Sequence, residues 1–104
     1  METTIEKLNQ LLLQSHTVID KTTEGGVSVG VAQYVPELNA AVGYLQNNRN
    51  MKIAISVKPQ SPTVHLVIGH KSGDNINVEK EYPSLASLTV TDLTDLCTNH
   101  LLNS

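Results

Sequence analysis

Three runs of alternating apolar and polar residues constrain the fold of this 104-residue chain more than any other feature. The runs cover residues 51–58, 63–69 and 75–82, and turn-forming residues separate them. A period of two places one set of side chains on a buried face and the other set toward water, as a half-buried antiparallel sheet requires. The sequence therefore predicts a three-stranded antiparallel meander across residues 51–82.

An amphipathic helix and a short strand are predicted before the meander. Residues 4–20 carry apolar side chains at helical spacing, and Thr3 and Glu6 have the spacing of a capping box at its start. Residues 27–32 alternate valine with serine, glycine and alanine, which is typical of a strand. The small side chains on one face of this strand indicate that a helix or another backbone lies close to it.

Two further helices complete the predicted element order. Pro36 suits the first turn of a helix and Glu37 complements its positive end, so residues 36–50 are predicted to be helical. Thr91 is predicted to open the final helix. The order is then α-β-α-β-β-β-α. This is a single α+β domain over residues 1–104, with an antiparallel sheet packed against helices.

The predicted core is aliphatic, because the chain contains no Phe or Trp and only three Tyr. So few aromatic rings disfavour ligands that are held by stacking, such as nucleobases. The alternation places the apolar set of the sheet against the apolar faces of the helices. The side chains expected in this contact are Ile53, Ile55, Leu66, Ile68 and Val78 from the sheet, and Leu8, Leu12, Leu38, Leu45 and Leu96 from the helices.

A formal net charge of −3 argues against general nucleic-acid binding, which usually needs a basic face. The charge is unevenly distributed: residues 49–71 carry four basic residues and no acid, whereas residues 72–104 are acidic. If the three meander strands are neighbours, lysines and glutamates of one face can pair across strands. The candidate partner or ligand surface consists of Lys52, Lys58, His65, Glu79 and Glu81.

Residues that could support chemistry are few. Cys97 and His100 are three apart on the predicted final helix, so they could form half of a metal site or an activated thiolate. We interpret Cys97 instead as a buried structural thiol, because free cysteines usually behave as small hydrophobes. His65 and His70 are five apart on one strand and point to opposite faces. The sequence therefore predicts no enzyme activity, no cofactor and no metal site.

The expected location is cytoplasmic, in the parent organism or in a host cell. A single cysteine excludes an internal disulfide and fits a reducing compartment. The first residues form no secretory signal, and no apolar stretch reaches the length needed to span a bilayer. Neither a membrane nor a nucleic acid is therefore expected as a partner.

The remaining functional hypotheses concern binding. A small acidic domain without a catalytic set is typical of an inhibitor, immunity protein, adaptor or chaperone-like module, which pairs through its surface or a strand edge. The alternative is a small-ligand or nucleotide-binding protein that acts as an oligomer, using the Lys52/Lys58/His65 face or a pocket beneath the first helix. An enzyme with its site assembled across a dimer is the third class.

Self-association is also predicted. The helices carry more apolar positions than one small sheet face can cover, and one edge of the meander has no predicted covering element. A symmetric dimer, the commonest closed assembly, could bury either surface. The surplus apolar residues are Leu11, Leu13, Val18 and Leu102.

Overall fold

The antiparallel sheet extends beyond the predicted three-stranded meander and contains five strands. The structure is a computed structural model that describes residues 2–23, 26–47, 51–58, 61, 63–70 and 76–102. Each strand pairs antiparallel with the next one in the chain, so the sheet order is β1-β2-β3-β4-β5. The elements are α1 (Glu2–Thr23), β1 (Val27–Val35), β2 (Ala40–Asn47), β3 (Met51–Val57), β4 (Val64–His70), β5 (Ile76–Tyr82), a 3₁₀ turn (Leu85–Ser87), α2 (Val90–Cys97) and a π-helical turn (Thr98–Leu102).

This arrangement confirms the predicted α+β class, with an antiparallel sheet packed against helices. The predicted helix over residues 36–50 is wrong, because residues 40–47 form β2, which pairs with β1 on one side and β3 on the other. Residues 48–50 lie outside the described residues. The preceding turn contains Asn39 at φ 49°, a left-handed conformation that asparagine tolerates. Pro36 therefore starts a turn instead of a helix, and its carbonyl accepts the Asn39 amide at 3.2 Å.

Both helices lie on one face of the sheet, and a single core fills the space between the layers. Ile53, Ile55, Leu66 and Ile68 are fully buried, as predicted from the alternation. Val78 packs against the core while partly buried, and the predicted helical core residues Leu8, Leu12 and Leu96 are also buried. Leu45 is buried too, although it belongs to β2. Leu38 was predicted to be buried and is 59% exposed, because it lies in the β1–β2 turn.

Small residues allow α1 to approach the sheet closely. A Cβ atom added at Gly43 would lie 2.3 Å from a δ-carbon of Leu12, so only glycine leaves room for that side chain. The same added atom would lie 3.3 Å from Ala32 of the neighbouring strand.

The prediction that a helix or backbone lies against the small face of the 27–32 strand is wrong for most of that face. Ser28 is exposed and Gly30 lies against the Tyr44 ring, while Val27 is buried in the core. Only Ala32, which follows the register shift in β1, is buried on the side of α1.

The helices begin at different residues than the sequence suggested. α1 starts at Glu2, so Thr3 lies inside its first turn and is not its N-cap. α2 is capped by Thr89 instead of Thr91, and the Thr89 hydroxyl accepts the Asp92 amide while the Asp92 carboxylate accepts the Thr89 amide. Among the described residues, neither helix has both the length and the hydropathy needed to cross a membrane.

Replacing Leu66 by alanine should lower the free energy of unfolding by about 2–5 kcal/mol, because it leaves a cavity in a fully buried site. Chemical denaturation monitored by circular dichroism measures the change. Val67→Ala is the matched control, since Val67 is the next residue and lies on the opposite, half-buried face. Equal losses for the two variants would contradict the register described here.

Replacing Ser15 by alanine should stabilise the protein by about 1 kcal/mol. Ser15 is fully buried on α1, and its hydroxyl has no hydrogen-bond partner among the described residues. Alanine removes this unpaired polar group and is also the better helix former. Gln14→Ala, at an exposed position of the same helix, reports the helix-propensity part alone. A lower unfolding midpoint for Ser15→Ala would show that the hydroxyl has a stabilising partner.

Candidate functional site

A groove of about 560 Å³ lies between α1 and the segment that joins β5 to α2. We call it the α1 groove. The buried side chains of Val57 and Leu88 line its apolar floor. The half-buried side chains of Leu11, Leu85 and Val90 form its walls.

Local sequence explains how the two walls are built. On α1, the lining residues Thr4, Lys7, Leu11 and Gln14 recur at helical spacing, so they lie on one flank of the helix. On the other side, Pro83 cannot continue the β5 ladder, so the chain leaves the sheet and turns through a short 3₁₀ segment. Leu88 is only 2% exposed and anchors that segment in the core.

The polar rim of the α1 groove carries a single charged side chain. Lys7 is the one ionised residue among the lining side chains, and Thr4, Gln10, Gln14 and Thr89 supply uncharged polar groups. Lysine and the adjacent α1 N-terminus both favour a negative charge at this end of the groove. The groove can therefore receive an apolar group that ends in an acidic one.

Four of the predicted surface residues, Lys52, His65, Glu79 and Glu81, lie on the other side of the molecule, while Lys58 follows the end of β3 and is exposed. We call this side the open face: it is the sheet face opposite the helices. The register aligns Val42, Ser56, His65 and Glu81 in one row across the strands. Tyr44, Ala54, Val67 and Glu79 form the next row, and Lys52 follows beside Gln46.

The expected lysine–glutamate pairs do not form. β4 separates β3 from β5, so Lys52 is not next to Glu79, and within the described residues neither Lys52 nor Lys58 lies within ion-pair distance of a carboxylate. His65 contacts Glu81 instead, with 3.4 Å between Nδ1 and Oε1. Lys52 places its Nζ 5.2 Å from the centre of the Tyr44 ring, a cation–π contact.

The role of Tyr44 could not be predicted, because the sequence placed residue 44 in a helix. In the sheet, its ring lies directly over Gly30 of β1: a Cβ atom there would come within 2.1 Å of the ring. The cross-strand pairing of Gly30 with Tyr44 thus fixes the ring that Lys52 contacts. A shallow depression of about 320 Å³ lies next to His65 and Glu81.

Cys97 is fully buried, as expected for a structural thiol. Burial raises its pKa to about 12, so the thiolate that a nucleophile or metal ligand requires is disfavoured. His100 lies in the π-helical turn that follows and is half-buried. The described residues contain no group of three side chains able to hold a metal ion.

The two sheet edges differ in character. β5 presents Glu79, Lys80 and Glu81, all exposed, whereas the nine residues of β1 include no charged side chain. The register of β1 with β2 shifts between Gly30 and Gln33, which indicates a bulge. Of the surplus apolar residues, Leu13 and Val18 are 46% and 48% exposed, Leu11 is half-buried, and the side chain of Leu102 lies outside the described residues.

Comparison with known protein families, with curated proteins and with solved structures finds no match for this chain. The site must therefore be interpreted from its own geometry. Sequence reasoning placed Lys52, His65, Glu79 and Glu81 on one face of the sheet, and the register places them there too. It named only a pocket beneath the first helix and none of the residues that line the α1 groove. The walls of that groove come from segments about seventy residues apart, and no local motif marks them.

In the folded protein, Cys97 should react with a thiol reagent near neutral pH no faster than the chain unfolds. The reason is that the thiol is both buried and held in its neutral form. Mass spectrometry of alkylated protein, with and without denaturant, measures the reaction. His100→Ala should leave the rate unchanged. Rapid labelling of the folded chain, abolished by His100→Ala, would instead indicate an activated thiolate.

Proposed function

We propose that this chain is a protein-binding module without catalytic activity, which receives an apolar segment of a partner protein in the α1 groove. The observation that carries the proposal is a groove with an apolar floor and one charged residue, Lys7, on its rim. Apolar side chains inserted into such a groove gain free energy by leaving water. An inhibitor, immunity protein, adaptor or chaperone-like protein would use a site of this kind, in the cytoplasm of its parent or host cell.

The chemistry of the groove defines the partner segment. Leu11, Leu85 and Val90 are half-buried in the free protein, so a bound segment with leucine-sized side chains would complete their burial. Lys7 has no carboxylate within ion-pair distance among the described residues and is exposed. We therefore expect the segment to place an acidic side chain or a free carboxyl group beside Lys7.

The open face is less suited to be the primary site. Two of its charged side chains already have contacts, since Glu81 lies against His65 and Lys52 lies over Tyr44. A partner there would have to replace these interactions, and charged groups lose hydration when they are covered. In the α1 groove, the floor and walls are apolar and Lys7 is the one charged lining residue, so covering it displaces less hydration of charged groups.

A small ligand is the second candidate occupant. The volume of the groove, about 560 Å³, lies within the range of sites that bind small molecules. A thermal-shift panel of nucleotides and small carboxylates tests this alternative. A midpoint raised by one compound in the wild type, and not in Lys7→Glu, would assign the groove to that ligand class.

We also propose that the protein forms a homodimer. The support is the exposed apolar surface, which includes Leu13 and Val18 on α1, Val31 on β1 and Leu38 in the turn. A symmetric dimer can cover part of this surface while the α1 groove stays open to a different partner. Light scattering of the full chain at micromolar concentration distinguishes a dimer from a single 11.3 kDa chain.

Reversing the charge of Lys7 should weaken binding of the protein partner about tenfold, because a carboxylate next to Lys7 would then meet a like charge. Affinity purification of the full chain from its source organism identifies the candidate partner, and calorimetric titration of the purified pair measures affinity. Lys21→Glu is the matched control, since Lys21 is exposed on α1 but does not line the groove. Leu11→Gln should weaken binding as well. Equal affinities for wild type, Lys7→Glu and Leu11→Gln would refute binding in the groove.

A further inference from the structure

The edge of the sheet formed by β1 is held by two side chains of α1. The Ala32 amide donates a hydrogen bond to the Asn9 side chain at 2.5 Å. The His16 Nε2 atom lies 2.7 Å from the Val27 carbonyl oxygen, so the imidazole donates there. Asn9 and His16 are seven residues apart, which places them two turns apart on the same flank of α1.

Both bonds engage the backbone of an edge strand at places where another strand would bind. Ala32 has no register partner in β2, because the bulge lies between Gly30 and Gln33. Its amide would otherwise be available to a further strand, as unpaired edge amides are in general. Asn9 and His16 of α1 thus form hydrogen bonds with backbone groups of β1 that a further strand could otherwise bind.

The same edge carries exposed apolar side chains. Val31, next to Ala32 in the bulge, is 57% exposed, and Tyr34 further along β1 is 42% exposed. Leu13 is four residues after Asn9 on the same flank of α1 and is also exposed. The β1 edge is apolar, and its backbone groups are bonded to α1. Such an edge can bind another strand once those hydrogen bonds are exchanged.

We infer that the β1 edge is the dimer interface, that its occupant is β1 of a second copy, and that Asn9 and His16 limit its opening. The inference rests on the proposed self-association and names the surface used. When β1 pairs antiparallel with its own copy, backbone amides and carbonyls of the second strand replace the side chains of Asn9 and His16. The number of hydrogen bonds is then conserved, so the exchange has a small net cost.

The charge distribution favours the β1 edge over the β5 edge as the one that pairs with a second copy. A symmetric strand pair brings each segment against itself, and β1 has no charged residue that could meet a like charge. β5 would have to cover Glu79, Lys80 and Glu81, which are exposed and hydrated. Charged edges of this kind normally prevent pairing.

The available area is sufficient for a dimer. The nine residues of β1 extend over about 30 Å. The smallest dimension of the molecule is 20 Å. A contact along the whole edge would then cover at most roughly 600 Å² per copy, or about 1,200 Å² in total, which is the lower end of the range for stable interfaces.

A charge introduced at the β1 edge should weaken self-association, whereas loss of the hydrogen bonds from α1 should strengthen it. We expect Val31→Lys to weaken self-association about tenfold or more, and the double variant Asn9→Ala/His16→Ala to strengthen it about tenfold. Sedimentation velocity of the full chain over a concentration series measures both. Val18→Lys is the matched control, because Val18 is an equally exposed valine on the other flank of α1. Thermal melts confirm that each variant is folded.

The outcomes separate the interface from the groove. A Val31→Lys variant that associates like wild type would refute the β1 edge as the interface, and so would a wild type that is monomeric at every concentration. If the double variant folds but associates no more tightly than wild type, Asn9 and His16 do not limit the edge, and the inference fails in that part. If it does not fold, Val31→Lys against Val18→Lys decides alone. Lys7→Glu should dimerise like wild type, so loss of partner binding in Lys7→Glu tests the proposed function separately.

Discussion

The close approach of α1 to the sheet at Gly43 is the contact on which the rest of the structure depends. Leu12 fills the space that a side chain at residue 43 would occupy, and Ala32 and Ala41 keep the surrounding surface flat. At this distance from the sheet, the two flanks of α1 make different contacts. One flank reaches the β1 backbone through Asn9 and His16, and the other forms a wall of the α1 groove through Leu11.

Sequence patterns predicted the strands whose inward side chains are large. In β3 and β4 the buried positions are Ile, Leu and Val, so hydropathy alternates clearly and the register follows from it. In β2 the inward positions are Ala41, Gly43, Leu45 and Asn47, and only one of them is strongly apolar. The period of two is therefore hidden, while Leu38, Ala41 and Leu45 happen to fall at helical spacing. Pairing with β1 and β3 decides the structure of this segment.

The contacts of Asn47, at the end of β2, could not be predicted from the residues next to it in the sequence. Its side-chain amide donates to the Leu101 carbonyl at 2.8 Å, and its side-chain oxygen accepts the Met51 amide at 3.0 Å. One residue thereby links the end of β2 and the start of β3 to the π-helical turn after α2. The sequence could place the open-face residues on one side because that inference needs only strand periodicity. The groove and the Asn47 contacts need the tertiary arrangement, in which distant segments meet.

The sheet order also keeps the entropic cost of closing the sheet low. Since every strand pairs with its neighbour in the chain, the sheet can grow one hairpin at a time with short loops to close. α2 is different: its docking closes a large loop, as the 54-residue separation of Asn47 and Leu101 illustrates. The segment from Ser84 to Val90 joins β5 to α2, so the α1 groove exists only where both β5 and α2 are in place. A partner that recognises the groove would consequently require the docked helices as well as the sheet.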